Sequence, residues 1–246
     1  MKITEPLFKQ ILFSICSHVF TRPADIRLSK SVVSFTFDDV PSSTYDFAVP
    51  LLKQHGYKAT FYISGGLADP DKHLRANQIK NLIAGGHEIG CHTFSHLPTT
   101  CSPARLKKDI DRNQVFFHQE CSYRAARHFA YPFGMIGLWN KLWLRQRYLS
   151  LRTTYPGINS GEIDLSALKA YKLYANHFSR EGLKDILQEN ESRRGWLIFY
   201  THDVSPQPSA WGTDVALFKE ALALTQKTSC EVMPVGRAVE KILCAG

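Results

Sequence analysis

Two carboxylates stand side by side at Asp38 and Asp39, directly after the apolar, β-branched stretch SVVSFTF. Two like charges at the end of a buried strand are unfavourable unless a cation or a proton offsets them. One carboxylate can then bind a metal while the other takes up a proton, although such a pair also fits a turn or a helix N-cap. His92 and His96 follow at H-x3-H spacing, which on a helical turn puts both imidazoles on one face. Two histidines and a carboxylate leave coordination positions open, which suits catalysis better than structure. His202 comes just after the apolar run 196–200. A histidine at a strand end can protonate a leaving amine, or it can be a core residue with a backbone partner. The segment FAYPFG at 129–134 ends in a Pro-x-Gly turn. Such a turn can aim a backbone N–H at a developing oxyanion, or it can be a plain connector. The remaining histidines, such as His18, His55, His73, His118, His128 and His177, have no comparable context.

These residues need a scaffold. Short β-branched or aromatic runs at 31–37, 58–64, 87–91, 127–131, 149–154, 171–174, 196–201 and 231–235 read as strands. Helices are expected near 45–54, 74–84, 102–119, 138–147, 180–191, 214–227 and 237–243; Gly85 and Gly86 stop the second, and Ser102 with Pro103 opens the third. The stretch 155–170 reads as an irregular loop. Strand and helix alternate about seven times, a pattern that predicts a mostly parallel sheet with helical crossovers, either a barrel or a doubly wound sheet. Asp38, Asp39, His92 and His202 all fall just after predicted strands, where α/β folds gather their active sites.

Together and in this order, TFDD at 36–39, HTFSH at 92–96, YPFG at 131–134 and IFYTH at 198–202 resemble the motifs of the polysaccharide deacetylase family, carbohydrate esterase family 4. The resemblance covers about residues 31–235. It implies a distorted (β/α)7 barrel with a mostly parallel sheet. It also implies that Asp39, His92 and His96 ligate one divalent metal ion, zinc first, with cobalt, nickel and manganese as alternatives. Asp38 would be the general base, His202 the general acid, and the Phe133 amide would help hold the oxyanion. The expected reaction is removal of an N-acetyl group from an amino sugar of a glycan, a glycan precursor or a lipid-linked sugar. Tyr131, Pro132, Tyr200 and Trp211 are the expected substrate contacts.

Four departures stand against the family pattern. Ala130 occupies a position where many members carry Arg, with Arg152 and Arg127 as replacements to test; Tyr200 stands for a usual Leu and Val40 for a frequent Gly; and the Asp-Trp motif is not recognisable in 153–174. Since the ligands and both proton-transfer groups survive, an active enzyme with an atypical substrate is expected. A deformylase of a formamido sugar would use the same residues. A non-catalytic carbohydrate-binding module of the same fold would be expected to have lost Asp38 or His202.

The remaining composition sets outer bounds. With 246 residues, 44% hydrophobic and 21% charged, the chain can bury one core of barrel size. An amphipathic helix over 6–20 marks residues 1–26 as an N-terminal segment packing on the barrel, with 27–246 as the catalytic barrel. Six scattered cysteines without a CxxC pair read as free thiols. No run approaches the roughly 18–20 apolar residues of a membrane span, so the expected location is the cytoplasm, with peripheral membrane contact as the alternative. Thirty Lys and Arg against 22 Asp and Glu give a charge of +8, which suits a carbohydrate on an anionic diphosphate or lipid carrier. Nucleic acid is not expected, because no basic stripe with interleaved aromatics occurs. Trp139 and Trp143, at helical spacing, are expected in the core; Trp211, in a loop, is the candidate for stacking on a sugar ring. Oligomeric state is left open.

Overall fold

The computed structural model describes residues 15, 18–68 and 73–245. The helix expected over 6–20 lies almost wholly outside them. β2 (Val32–Asp38) is buried along its whole length, as a strand covered on both faces must be. It pairs in parallel with β3 (Thr60–Ile63) on one side and β9 (Trp196–Thr201) on the other. Beyond β3 follow β4 (Glu88–Cys91), β5 (His128–Ala130) and β6 (Ser150–Arg152), and beyond β9 comes β8 (Tyr171–Lys172). A short strand β10 (Glu231–Val232) lies beside the start of β2. Every pairing in this curled sheet is parallel. The seven strands from β6 to β8 form the distorted (β/α)7 barrel that the motifs implied.

The crossover helices are α1 (Val49–Gln54), α2 (Ala76–Ala84), α3 (Pro103–Gln119), α4 (Leu138–Arg147), α5 (Arg180–Ser192) and α6 (Val215–Gln226), and α7 (Val235–Ala245) follows the last strand. Their stops and starts follow local chemistry. Gly86 takes φ +80 just after α2, and Pro103 fills the first turn of α3, where no intrahelical bond is lost. Among the described residues no helix is long and apolar enough to cross a membrane, and the five described cysteines are free.

Two parts of the expectation change. The stretch 155–170 is not wholly irregular, for it contains β7 (Gly161–Asp164), antiparallel to β1 (Pro23–Ile26). This ribbon carries no apolar alternation in sequence; polar anchoring holds it instead. Asp164 accepts from the Arg22 amide at 2.8 Å and from the fully buried Lys141 Nζ at 2.6 Å, and Lys141 also donates to the Val19 carbonyl at 3.0 Å. The Arg22 guanidinium donates to the carbonyls of Tyr148 and Leu149, both at 3.0 Å. Second, Trp139 is not a core residue. It is 71% exposed and tilts against Phe20, whereas Trp143 does pack on the core.

Candidate active site

The site collects at the C-terminal ends of β2, β4, β5 and β9, on backbone that leaves ordinary strand geometry. Asp38 closes β2; Asp39 and Val40 then turn through φ +57 and +51, and Thr93 and His96 through +62 and +51. A β-branched residue at positive φ is an outlier, and each such position costs on the order of 1–3 kcal/mol that surrounding structure must hold. Here the holding is visible. Asp109 of α3 accepts from the amides of Phe94 and Ser95 at 2.7 and 3.0 Å, and Thr93 Oγ1 accepts from the Leu97 amide at 2.7 Å. His92 and His96 are therefore presented by a pinned loop and not by the helical turn their spacing suggested. Their ring centroids are 4.9 Å apart.

One ligand-type atom from each of Asp39, His92 and His96 lies within 4.8 Å of the others. His92 Nε2 is 3.9 Å from Asp39 Oδ1, and His96 Nε2 is 3.6 Å from Asp39 Oδ2. His92 Nδ1 lies 2.8 Å from the Ala130 carbonyl. A carbonyl only accepts, so Nδ1 carries the hydrogen and Nε2 turns a lone pair toward Asp39. Burial depresses His92 to about 3 and also lowers His96, so both rings are neutral at pH 7. Burial pushes Asp39 up to about 6, which still leaves it mostly ionised there. Two neutral imidazoles and one carboxylate are a fitting donor set for a zinc-type cation with further positions open.

Asp38 sits beside this trio, 2% exposed. Arg152 Nη2 donates to both of its oxygens at 2.5 Å. Burial raises the Asp38 carboxyl, but the Arg152 guanidinium, with smaller contributions from His92 and His202, holds the group below the usual carboxylate range. Of the two arginines considered as replacements at the Ala130 position, Arg152 is the one that reaches Asp38.

His202 follows β9. Its Nδ1 lies 3.2 Å from the Trp211 carbonyl, which also accepts from the His202 amide at 3.3 Å. The loop that brings Trp211 back is fastened by buried Asp203, which accepts from the Ser209 amide at 2.9 Å and the Ser209 hydroxyl at 2.5 Å. Tyr174 packs on both the His202 and Trp211 rings, with centroids at 6.0 and 6.2 Å. On the far side, Phe133 adopts φ +58, and its ring meets His96 edge to face at 4.3 Å. Gly134 is at φ +67, and a Cβ there would lie 2.9 Å from Thr154 Cβ, so the turn requires glycine.

Of the four expected substrate contacts, only Trp211, 62% exposed, faces solvent. Tyr131 and Pro132 are buried, with the Tyr131 hydroxyl donating to the Ser166 carbonyl at 3.1 Å; they shape the turn and do not line a surface. Tyr200 is also buried, its ring against the Arg152 guanidinium at 4.9 Å. Asp109, Asp203 and Tyr62 support the site without having been singled out. Each sits in an ordinary helix, loop or strand context, so no sequence pattern marks them.

A family model described as polysaccharide deacetylase matches residues 25–151. A peptidoglycan-N-acetylglucosamine deacetylase of Bacillus cereus is 34% identical over 97 residues, covering 39% of this chain and 44% of its own length. A chitin deacetylase of Colletotrichum lindemuthianum is 24% identical over 217 residues, covering 85% of this chain and 79% of its own. The chain spans about half, or less, of the length of the first curated relatives it matches. Among solved structures, the Bc1960 peptidoglycan N-acetylglucosamine deacetylase, in complex with 4-naphthalen-1-yl-N-oxidanyl-benzamide, superposes with a TM-score of 0.64 at 17% identity. That match covers 87% of this chain and 90% of the other.

Proposed function

This chain belongs to the polysaccharide deacetylase family, and on that premise we propose that it is a metal-dependent hydrolase that removes an N-acetyl group from an amino sugar. The observation that carries this reading is the convergence of Asp39, His92 and His96 within 4.8 Å, with an ionised Asp38 alongside. These three residues would hold the cation. When bound, it supplies Lewis acidity, polarising a carbonyl and acidifying water. Asp38 accepts the proton of the attacking water, and the Phe133 amide donates to the oxyanion as the carbonyl carbon becomes tetrahedral. His202, its Nδ1 bonded to the Trp211 carbonyl, has Nε2 left to carry a proton to the departing amine. C–N cleavage then releases acetate and the free amino sugar. Trp211 offers an aromatic face to a sugar ring.

In this reading, residues 27–246 are the catalytic unit; of the N-terminal segment, Val19 and Arg22 are fastened to it through Lys141 and Asp164. The net charge of +8 favours substrates with an anionic carrier, and the free thiols fit a reducing compartment such as the cytoplasm. The test is acetate release from N-acetylated chitooligosaccharides, sugar nucleotides and lipid-linked amino sugars, after chelation and after zinc is restored, alongside Asp38→Asn. Zinc-restored release that the variant lacks is the expected result. Formate release from formamido sugars alone would shift the reading to a deformylase, and absence of zinc binding would leave a carbohydrate-binding module.

A further inference from the structure

The turn that carries Phe133 runs on into a second exposed aromatic ring. Phe133 is 54% exposed with its ring on His96, and Trp139, in the first turn of α4, is 71% exposed. Between them the chain is fastened to the loop that follows His96. Thr99 Oγ1 donates to the Met135 carbonyl at 2.6 Å and accepts from the Gly137 amide at 3.0 Å. A Cβ at Gly137 would lie 2.7 Å from the Thr99 carbonyl carbon, so the two segments meet main chain to main chain. Next to Trp139, the buried Asn140 side chain donates to the carbonyls of Thr99 and Cys101 at 2.7 and 2.8 Å. These bonds set Trp139 beside the start of α3, which begins two residues after Cys101. There Arg105, Lys107 and Lys108 are exposed. The first turn of α3 has no acidic residue, and the acids that follow are engaged elsewhere: Asp109 accepts from the Phe94 and Ser95 amides, and Asp111 pairs with Arg147 at 2.9 Å. One rim of the site thus joins exposed aromatic rings to uncompensated positive charge.

We propose that this rim, Trp139 and Phe133 with Arg105, Lys107 and Lys108, docks the protein on an anionic lipid surface. Single exposed apolar residues are ordinary, but two large rings on one stapled turn beside three cations form a patch. Aromatic rings with basic side chains next to them are the combination that settles at the headgroup level of a bilayer. The rings enter the acyl boundary, and the ammonium and guanidinium groups meet lipid phosphate. Phe20 packs against Trp139 with centroids 6.1 Å apart and still leaves it standing clear of the surface, as entry into an interfacial plane requires. Docked in this way, the site opens on the headgroup layer, because the Phe133 ring is 4.3 Å from the His96 ring. On the hydrolase reading, the amino sugar is then one carried on a lipid; the docking itself does not depend on that reading.

The test is co-flotation of the whole chain with vesicles of phosphatidylcholine alone and of phosphatidylcholine with phosphatidylglycerol. Binding to the mixed vesicles and not to the neutral ones is expected, weakening as salt rises. Trp139→Ser is expected to weaken it by roughly tenfold or more. The triple variant Arg105→Ser/Lys107→Ser/Lys108→Ser is expected to weaken it on the order of 10²-fold, at about fivefold per cation. All four side chains are exposed, so thermal midpoints should stay near that of wild type, and hydrolysis of a soluble chitooligosaccharide by Trp139→Ser should stay within about twofold. Flotation that both variants leave unchanged would overturn the proposal, since another part of the chain would then carry the binding; so would absence of flotation. Retention on an acidic polysaccharide such as alginate, without flotation, would also overturn it and give the rim to a glycan. Flotation needs no activity, so the two readings fail separately. A protein that binds the mixed vesicles through this rim and hydrolyses nothing keeps the docking surface and loses the hydrolase reading, whereas turnover of soluble substrate without flotation does the reverse.

Discussion

Gly212→Ala is the substitution whose consequences follow most directly from the geometry. An added Cβ would lie 2.5 Å from Asp203 Cγ and 2.7 Å from Oδ2, so something must move by several tenths of an ångström. Asp203 cannot easily yield, because it is buried and accepts from the Ser209 amide at 2.9 Å and the Ser209 hydroxyl at 2.5 Å. The strain passes instead to the loop backbone at Trp211. Its carbonyl accepts from His202 Nδ1 at 3.2 Å and from the His202 amide at 3.3 Å, already at the long end of good hydrogen bonds. A small displacement therefore breaks both, at about 1 kcal/mol each. For a chain of this size, a total of about 2 kcal/mol lowers Tm by roughly 4–8 °C. His202 would remain present but lose the bond that fixes its tautomer, so kcat should fall by roughly 10- to 100-fold, part of the 10²–10⁴ a positioned acid contributes. Zinc affinity should not change, since Asp39, His92 and His96 lie outside the loop. Steady-state kinetics on an acetylated chitooligosaccharide, zinc calorimetry and a thermal scan measure all three. A folded, zinc-binding variant with kcat within about twofold of wild type would refute the role given to the Trp211 carbonyl.

Other outcomes follow from the same structure. His92→Ala and His96→Ala should each weaken zinc binding by roughly 10²-fold or more, as measured by calorimetry. Zinc affinity should decline as pH falls through about 6, because burial raises Asp39 to that value and the proton then competes with the cation for the same oxygens; a flat profile from pH 5 to 8 would contradict this. Trp211→Ala should raise KM by roughly tenfold with little change in kcat, since stacking is lost while the backbone carbonyl on His202 remains. Far from the site, Asp164→Asn should destabilise by about 3–5 kcal/mol in urea, leaving the buried Lys141 ammonium without its carboxylate. Lys141→Met should cost less, because Asp164 keeps the Arg22 and Ser166 amides, both at 2.8 Å.

The central strands of the parallel sheet were legible because they are apolar, β-branched and aromatic runs, VVSFTFD in β2, TFYI in β3 and WLIFYT in β9. The β1–β7 ribbon was not, since its register comes from Arg22 and Lys141 reaching Asp164 over more than twenty residues of sequence. Sequence order put Asp39, His92 and His96 in view as a set, and the geometry brings their ligand atoms together. Their presentation departs from the helical turn that H-x3-H spacing predicts, because that spacing does not reveal left-handed backbone at Thr93 and His96. Tyr131, Pro132 and Tyr200 lie within the motifs YPFG and IFYTH, and position within a motif says nothing about which side of the strand a ring takes; all three are buried.

The bond from His92 to the Ala130 carbonyl has a consequence for how substitutions at this site are read. The group that orients the imidazole belongs to the main chain, so no change of side chain at position 130 deletes it. A saturation scan would score that position by bulk alone, tolerating what leaves room for Arg152 and rejecting what does not. The residue would look like a spacer while its peptide group continues to aim the ligand. Orientation of this kind is robust to point mutation, and only a change that moves the end of β5 itself, such as one that disturbs the glycine-requiring turn at Gly134, can take it away.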